Sequence, residues 1–406
     1  MAMIVMKFGG TSVANAELIN RAAQRVAREK KKENDIVVVV SAMGHTTDAF
    51  VKLSREITPH PPAREVDMLL TAGERISVAL FSMALERLSL KAVSFTGSQV
   101  GIITDNKHTD ARILEIRGDR LRKALADGQI PVVCGFQGVS MEKEITTLGR
   151  GGSDTTAVAL SAALNADRCM IFTDVDGVYT EDPKRFPGAK KIEKISYEEM
   201  MELSSQGAQV LHPRASSIAA RYGVPVEIRS SFSSKSGTTV TQLDGMEKPR
   251  PKAITHSEDL YLVTLVQVPK NPACLSQIVK DLTEHGIHLK FFFHGISDAR
   301  NFDLSFITPL NEKNRVEARL KPLRRRLRIS SIREVLDVCS ISIIGTGIGS
   351  DNRVLAGIFS TLSKVRAHIE AVTTSELSIN IFLHKKFLDT AVRRLMEQFG
   401  LAAKTT

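Results

Sequence analysis

Apolar residues recur along the first part of the chain in two alternating periods. Residues 3–8 are a short apolar run, Asp35-Ile-Val-Val-Val-Val-Ser41 is a second, and residues 91–96, 130–134 and 168–173 are three more. Runs that are apolar at nearly every position fit strands covered on both faces. Between them apolar positions fall at helical spacing over residues 15–31, 65–88, 110–127, 157–164, 196–205 and 213–221, and a last strand is expected at 224–229. The second of these helices is expected to be interrupted near Thr71-Ala-Gly-Glu-Arg75. Strand and helix in alternation predict an α/β fold with a mainly parallel, doubly wound sheet in three αβα layers. In such a sheet ligands gather at the carboxyl ends of the strands. Those ends carry Lys7, Ser41, Gly135 and Thr173-Asp174.

After residue 252 the rhythm changes. Strand, helix, strand at 260–268, 272–284 and 287–293, then strand and helix at 304–308 and 316–323, recur about 80 residues later. The second copy runs 338–344, 353–365, 369–372, 379–383 and 388–399. The pattern is βαββαβ twice, a ferredoxin-like arrangement. It holds no glycine-rich anion turn, so a regulatory or oligomerising module is expected. Asp244-Gly-Met-Glu-Lys-Pro-Arg-Pro-Lys252 reads as the linker.

Composition narrows the class. The 406 residues are too many for one core. No apolar run reaches membrane-spanning length, and the start, Met1-Ala-Met-Ile-Val-Met-Lys7, is strand-like with no signal-peptide pattern. Cys134, Cys169, Cys274 and Cys339 are widely spaced in apolar contexts without a CxxC, which suggests buried free thiols in a reducing compartment. A cytoplasmic location follows, with no membrane partner. The net charge of +10 is spread over both halves. Its sharpest runs, Lys30-Lys31-Lys32 and Arg324-Arg-Arg326, lie on the polar sides of predicted helices and read as solvated faces. No aromatic interleaving suggests a nucleic-acid partner. A small anionic substrate fits the charge equally well.

Candidate chemistry centres on Thr146-Thr-Leu-Gly-Arg-Gly-Gly-Ser-Asp-Thr-Thr156. Glycines at 149, 151 and 152 free the backbone, and Ser153, Asp154 and Thr155 are N-cap types ahead of an apolar helix. A glycine turn opening a helix offers an anion its free amides and dipole. Arg150 adds a fork suited to carboxylate or phosphate. A plain helix-capping turn would look the same. Lys7, followed by Gly9-Gly10-Thr11-Ser12, makes a second anion nest, though not the Walker A order. Glu74 lies between small residues in an apolar context. It needs a cation partner, either a bound ammonium or Arg75 at the surface.

Taken together, Lys7-Phe-Gly-Gly-Thr-Ser12, Ser41-Ala-Met-Gly44, Leu70-Thr-Ala-Gly-Glu-Arg75, Phe95-Thr-Gly-Ser-Gln99, Thr147-Leu-Gly-Arg-Gly-Gly-Ser-Asp-Thr155, Thr173-Asp-Val-Asp-Gly-Val-Tyr179 and Val210-Leu-His-Pro-Arg214 resemble the monofunctional aspartate kinases. The resemblance runs in order along essentially the whole chain. It implies an amino acid kinase domain over 1–245, a linker over 246–252, and two intertwined ACT-like domains over 253–330 and 331–406. It implies phosphorylation of the L-aspartate side-chain carboxylate by ATP with Mg2+, toward lysine, threonine and methionine, in a homo-oligomer joined through the ACT units. An amino-acid effector, lysine or threonine, is a further implied partner.

The family pattern also implies roles. Lys7 and the Gly9 and Gly10 amides would stabilise the moving phosphoryl group, with Asp154 orienting Lys7 and capping the helix. Arg150 would fork onto the α-carboxylate of aspartate and Glu74 receive its ammonium. Ser41, Thr47, Gly151 and Ser153 would complete the substrate site. Thr173, Asp174, Tyr179, Asp182 and Lys184 would border the nucleotide. No metal ligand of the protein's own is expected. The chain departs from the family pattern at Gln209, where relatives carry a Lys, at His45, and at Val268-Pro-Lys-Asn-Pro-Ala-Cys274, where effector-binding relatives favour Asp-x-Pro-Gly. Either no effector binds that turn or its ligand differs. Other amino acid kinases, such as acetylglutamate- or uridylate-type enzymes, are not expected to carry an ACT pair. A catalytically weak, amino-acid-sensing protein on a kinase scaffold is the reading from another class.

Overall fold

A computed structural model describes residues 2–208, 210–243 and 249–403, apart from the side chain of residue 296. Gln209 and most of the linker therefore lie outside the described residues. The chain forms two compact units, Met1–Glu247 and Lys248–Thr406.

In chain order the first unit comprises β1 (Met3–Phe8), α1 (Ala16–Lys30), β2 (Asp35–Val40), α2 (Thr46–Ile57), α3 (Ala63–Glu86), β3 (Ala92–Phe95), β4 (Ile102–Thr104), β5 (Ile113–Ile116), α4 (Asp119–Ala126), β6 (Ile130–Cys134), β7 (Gln137–Ser140) and β8 (Ile145–Thr147). It continues with α5 (Gly152–Ala163), β9 (Arg168–Thr173), β10 (Val178–Tyr179), β11 (Lys191–Ile192), β12 (Lys194–Ile195), α6 (Tyr197–Gln206), α7 (Pro213–Tyr222), β13 (Val226–Ser230) and β14 (Thr238–Val240). Eight strands make the main sheet in the order β12-β14-β13-β9-β1-β2-β6-β3. From β13 to β3 every neighbour is parallel. The central β9, β1, β2 and β6 are the apolar runs that the sequence marks, and their middles are fully buried. Phe8 stacks on Phe172 across two of them, at 4.8 Å between ring centres.

Three local expectations change. First, α3 is continuous through Gly73. A Cβ on Gly73 would lie 2.8 Å from that of Ala42. The glycine therefore serves close packing of α3 on the β2–α2 turn and does not break the helix. Second, residues 110–127 are not one helix. β5 comes first and α4 begins only after Gly118, whose φ is +70°. β5 joins β4, β7 and β8 in a separate four-stranded sheet ordered β5-β4-β7-β8, which short, half-polar strands made illegible. Third, α3 is the one described helix long and apolar enough, by length and composition, to cross a membrane. Half of its apolar window is buried inside the unit, and its inner face carries Asp67, Thr71, Glu74 and Ser77.

The second unit is built from β15 (Ala253–Pro269), α8 (Pro272–Glu284), β16 (Phe291–Ile296), β17 (Asn301–Pro309), α9 (Lys313–Arg326), β18 (Ser331–Ile344), α10 (Asn352–Val365), β19 (Ile369–Thr374), β20 (Ser378–His384) and α11 (Leu388–Gln398). Its six strands form one antiparallel sheet, β16-β17-β15-β18-β20-β19. β15 and β18 are far longer than the apolar runs at 260–268 and 338–344, and they pair with each other from Ala253↔Ile344 to Val266↔Ser331. The last part of β15 belongs with β16 and β17, and its first part lies beside the half of β18 that pairs with β20. Each long strand thus serves both βαββαβ halves. Both turn a corner midway: Asp259 has φ +55° and Asp337 φ +54°, where the β15–β18 register shifts. The bulge lets one strand twist from one half into the next.

Candidate active site

The parallel register puts the carboxyl ends of β9, β1, β2 and β6 side by side, so four loops meet at one edge. Lys7 is the penultimate residue of β1 and is largely buried. Its Nζ lies 2.6 Å from Asp154 Oδ1, in the first turn of α5. This is an ion pair by distance without hydrogen-bond alignment, and Asp154 Oδ1 has no hydrogen-bond donor among the described residues. Asp154 therefore pairs with Lys7 but does not cap its helix. The N-cap of α5 is Gly151, at φ +67°, and no side chain caps there. Ser153, Asp154 and Thr155 lie inside the first turn, where an acidic side chain meets the positive end of the dipole.

The glycine loop after β1 fits tightly between its neighbours. A Cβ on Gly9 would sit 3.3 Å from Lys7 Nζ, and one on Gly10 would sit 2.9 Å from the carbonyls of Ala42 and Gly44. The Gly9 amide is not available to a ligand, because it donates to Phe172 O at 3.1 Å. Its expected role as a phosphoryl donor is corrected: Gly9 leaves room beside Lys7. The Gly10 amide has no acceptor among the described residues. Ser41 N donates to Phe8 O at 3.1 Å and Gly44 N to Gly10 O at 3.0 Å, locking the second loop onto the first. Gly135 closes the row. A Cβ there would fall 2.6 Å from Ser153 Oγ, so a glycine is required between β6 and α5.

Glu74 reaches this edge from α3. It is 2 % exposed. One carboxylate oxygen accepts from Ala42 N at 3.2 Å, and the other has no partner. No ion pair joins it to Arg75. Burial pushes its pKa up to about 7, opposed only by backbone hydrogen bonds. A buried carboxylate with one orphaned oxygen is built to take a cation. Arg150, at the tip of the glycine turn between Gly149 (φ +75°) and Gly151, is exposed and free of any protein partner among the described residues.

The remaining expected residues lie to the sides. Thr173 ends β9 and bonds its neighbour Asp174 at 3.0 Å. Asp174 approaches the exposed Lys184 at 3.9 Å. Tyr179 donates to Asp176 at 2.8 Å, and Asp182 accepts from Lys184 N at 2.9 Å, so both are engaged locally. Thr47 stands in the first turn of α2, half-buried, and among the described residues no hydrogen bond joins it to Glu74 or Arg150.

Three residues with no expected role are packed against the glycine turn. His212 caps α7, and a Cβ on Gly151 would lie 2.2 Å from its ring. Burial lowers the His212 pKa, in keeping with a neutral ring that accepts from Arg214 N. Asp67 and Arg214 bracket the base of the turn. Asp67 stands seven residues before Glu74 on one helix, and that spacing was readable from sequence. Arg214 sits within Val210-Leu-His-Pro-Arg214, a string that gave the resemblance but no role.

A parallel sheet edge that gathers a buried cation, one free glycine amide, a helix N-terminus and a buried carboxylate awaiting a cation suits phosphoryl transfer to an amino acid, the chemistry of an amino acid kinase. The comparisons agree. Residues 2–230 match the amino acid kinase family and residues 341–399 the ACT domain. The aspartokinase of Mycolicibacterium smegmatis is 43 % identical over 407 aligned residues, covering 99 % of this chain and 97 % of that protein. The crystal structure of aspartate kinase from Synechocystis is 38 % identical with a TM-score of 0.56, covering 100 % of this chain and 70 % of that one. Escherichia coli aspartokinase III in complex with aspartate and ADP shares the fold, with a TM-score of 0.81 at 24 % identity, covering 98 % of this chain and all of that one. The chain belongs to the aspartokinases of the amino acid kinase family.

Proposed function

We propose that this aspartokinase transfers the γ-phosphoryl group of ATP to the side-chain carboxylate of L-aspartate, giving 4-phospho-L-aspartate and ADP. The observation that carries the substrate class is Glu74, buried, with one oxygen unpartnered and its pKa raised to about 7. It takes the α-ammonium, and the unpaired Arg150 takes the α-carboxylate. The side-chain carboxylate is then left to face Lys7.

That carboxylate is ionised at neutral pH, with an ordinary pKa of about 3.9. One of its oxygens attacks the γ-phosphorus, the bond to the β,γ-bridging oxygen breaks, and ADP leaves with the electron pair. No proton moves, so no general base is needed. The obstacle is the approach of an anion to a polyanion, and catalysis is positioning plus charge neutralisation. Lys7, steered by Asp154, and the free Gly10 amide supply the positive field. Ser41, Thr47, Gly151 and Ser153 border the amino acid; Thr173, Asp174, Tyr179, Asp182 and Lys184 border the nucleotide.

Among the described residues no group of three His, Cys, Asp or Glu side chains could cage a metal. The resemblance implies Mg2+, which would enter on the phosphates of ATP and keep most of its waters. Bound there, the ion would supply further charge neutralisation. We infer homo-oligomerisation through the ACT units and a cytoplasmic enzyme, in keeping with four buried free thiols. At the turn before α8, Asn271 accepts from Ala273 N at 2.9 Å and Pro272 opens the helix. Lys270 stands where effector-binding relatives carry the Asp, and its Nζ donates to Asp298 O at 2.7 Å, so the turn lacks an acceptor for an effector's ammonium.

The test is ADP release with L-aspartate against succinate, which lacks the ammonium, each with and without lysine or threonine. Turnover with L-aspartate and none with succinate is expected. Equal use of succinate would remove Glu74 from substrate recognition, and ADP release independent of either acid would defeat the reading.

A further inference from the structure

The base of the Arg150 turn is held from two sides by charged groups that the chemistry above does not use. On one side stands Asp67, fully buried on α3. Its carboxylate accepts from the Thr147 hydroxyl at 2.5 Å and from Thr109 N at 3.1 Å to each oxygen. His108 Nδ1 lies 2.7 Å away and donates when it carries the ring proton. On the other side stands Arg214, in the first turn of α7. It donates Nη1 to Leu148 O at 2.8 Å and Nη2 to Ala111 O at 2.5 Å. Ala111 N donates in turn to Thr147 O at 2.9 Å, which ties the two grips together. Gly149 rests on the same bridge: a Cβ there would lie 3.0 Å from Thr109 O.

Neither charge is where general stability would put it. A fully buried carboxylate is costly unless donors surround it, and here the donors are Thr147, which leads into the turn, and the 108–109 segment packed beneath Gly149. Arg214 is half-buried, its nearest carboxylate oxygen, on Asp110, is 3.9 Å off, and its planar fork spans two carbonyls of separate segments, one just after β8 and one just before β5. A lysine could not grip both in this way. Asp67 and Glu74, seven residues apart, share one face of α3, about 10 Å along its axis. One helix therefore fixes both the ammonium acceptor and the approach of the carboxylate fork.

We propose that Asp67 and Arg214 form a clamp that positions the Arg150 guanidinium against the α-carboxylate of the amino-acid substrate. They are positioning residues, acting through the Thr147–Gly149 backbone, and the proposal rests on the assignment of Arg150 above. The clamp grips the amino-acid side only, since nothing in it touches Lys7 or the Gly9-Gly10 loop.

The test uses the full chain with Asp67→Asn, Arg214→Lys and Arg214→Gln, varying L-aspartate and ATP separately. Each is expected to raise the aspartate KM at least tenfold while the ATP KM changes less than twofold. Arg214→Lys should resemble Arg214→Gln, because the fork matters and not the charge. In an Arg150→Ala background the same substitutions should add little, as expected of groups acting through one residue. Thr147→Val, which removes one donor without touching a charge, serves if the others fail to fold; a smaller rise in aspartate KM alone is expected. Parallel changes in aspartate KM, ATP KM and kcat, or effects that add fully to Arg150→Ala, would overturn the clamp. If Arg150→Ala itself leaves the aspartate KM unchanged, the assignment of Arg150 fails first. If it raises that KM and the clamp variants do not, only the clamp falls.

Discussion

Glu74→Gln tests the site most sharply, because stability and activity should move in opposite directions. In the folded chain without substrate, burial holds the Glu74 carboxyl proton up to about pH 7, against an ordinary 4.5. The displacement corresponds to about 3 kcal/mol of unfavourable charging. A carboxyl with a raised folded pKa binds its proton more tightly folded than unfolded. Stability therefore falls as pH rises from 4.5 to about 7, and the full penalty is present above that. Gln has no charge to lose and can still accept from Ala42 N. Its amide nitrogen inherits the unpartnered position, at a cost of about 1 kcal/mol. The variant should thus be more stable than the parent at pH 8 by about 2 kcal/mol, or a Tm gain of about 4–8 °C. Near pH 5 the gain should vanish. The aspartate KM should rise about 100-fold, the equivalent of about 3 kcal/mol. In the parent, aspartate KM should also climb as pH falls below about 7, as the carboxylate takes a proton, and in the variant that dependence should flatten. Thermal melts at pH 5 and 8, with aspartate titrations over the same range, read both. Melting curves that keep a constant offset across pH, or an unaltered aspartate KM profile, would refute the reasoning.

Other outcomes follow from single contacts. Lys7→Met should abolish turnover and also destabilise, by about 3–5 kcal/mol, because Asp154 is left as an unpaired buried charge; adding Asp154→Leu should restore the Tm without restoring activity. Gly151→Ala should destabilise and inactivate together, since its Cβ would strike the His212 ring at a backbone φ of +67°; a folded, active alanine variant would show that His212 moves aside at little cost. Cys134 and Cys169, whose thiol pKa values burial pushes up to about 12, should resist alkylation at pH 8 until the chain is unfolded, as mass spectrometry after iodoacetamide would read.

The parallel sheet and its convergent edge were legible because buried parallel strands have no polar alternation to confuse them. Lys7, Ser41, Gly135 and Thr173 end adjacent strands as the apolar runs imply. What sequence misplaced depends on contacts distant in the chain. The Gly73 position looks like a helix break until Ala42 is seen against it. Ser153 and Asp154 look like caps until Gly151 takes that place with a left-handed backbone. Gly9 looks like an anion donor, yet its amide is spent on Phe172. The β5 segment looked helical because its Ile, Leu and Ile recur at a spacing that short strands share. Asp67 and Arg214 were invisible as a pair, being 147 positions apart and linked only through the residues between them.

The two long strands of the second unit carry a consequence for how it comes apart. The half that holds β19 and β20 cannot complete its four-stranded sheet from a contiguous piece of chain, because it borrows the first part of β15, whereas the half that holds β16 and β17 runs unbroken from 260 to 337. A chain cut at residue 330 would leave both pieces with a raw sheet edge, so a fragment that keeps the sheet of the first half whole has to run on to residue 337. A ligand that stiffened either half would be felt at once in its sibling, through continuous backbone.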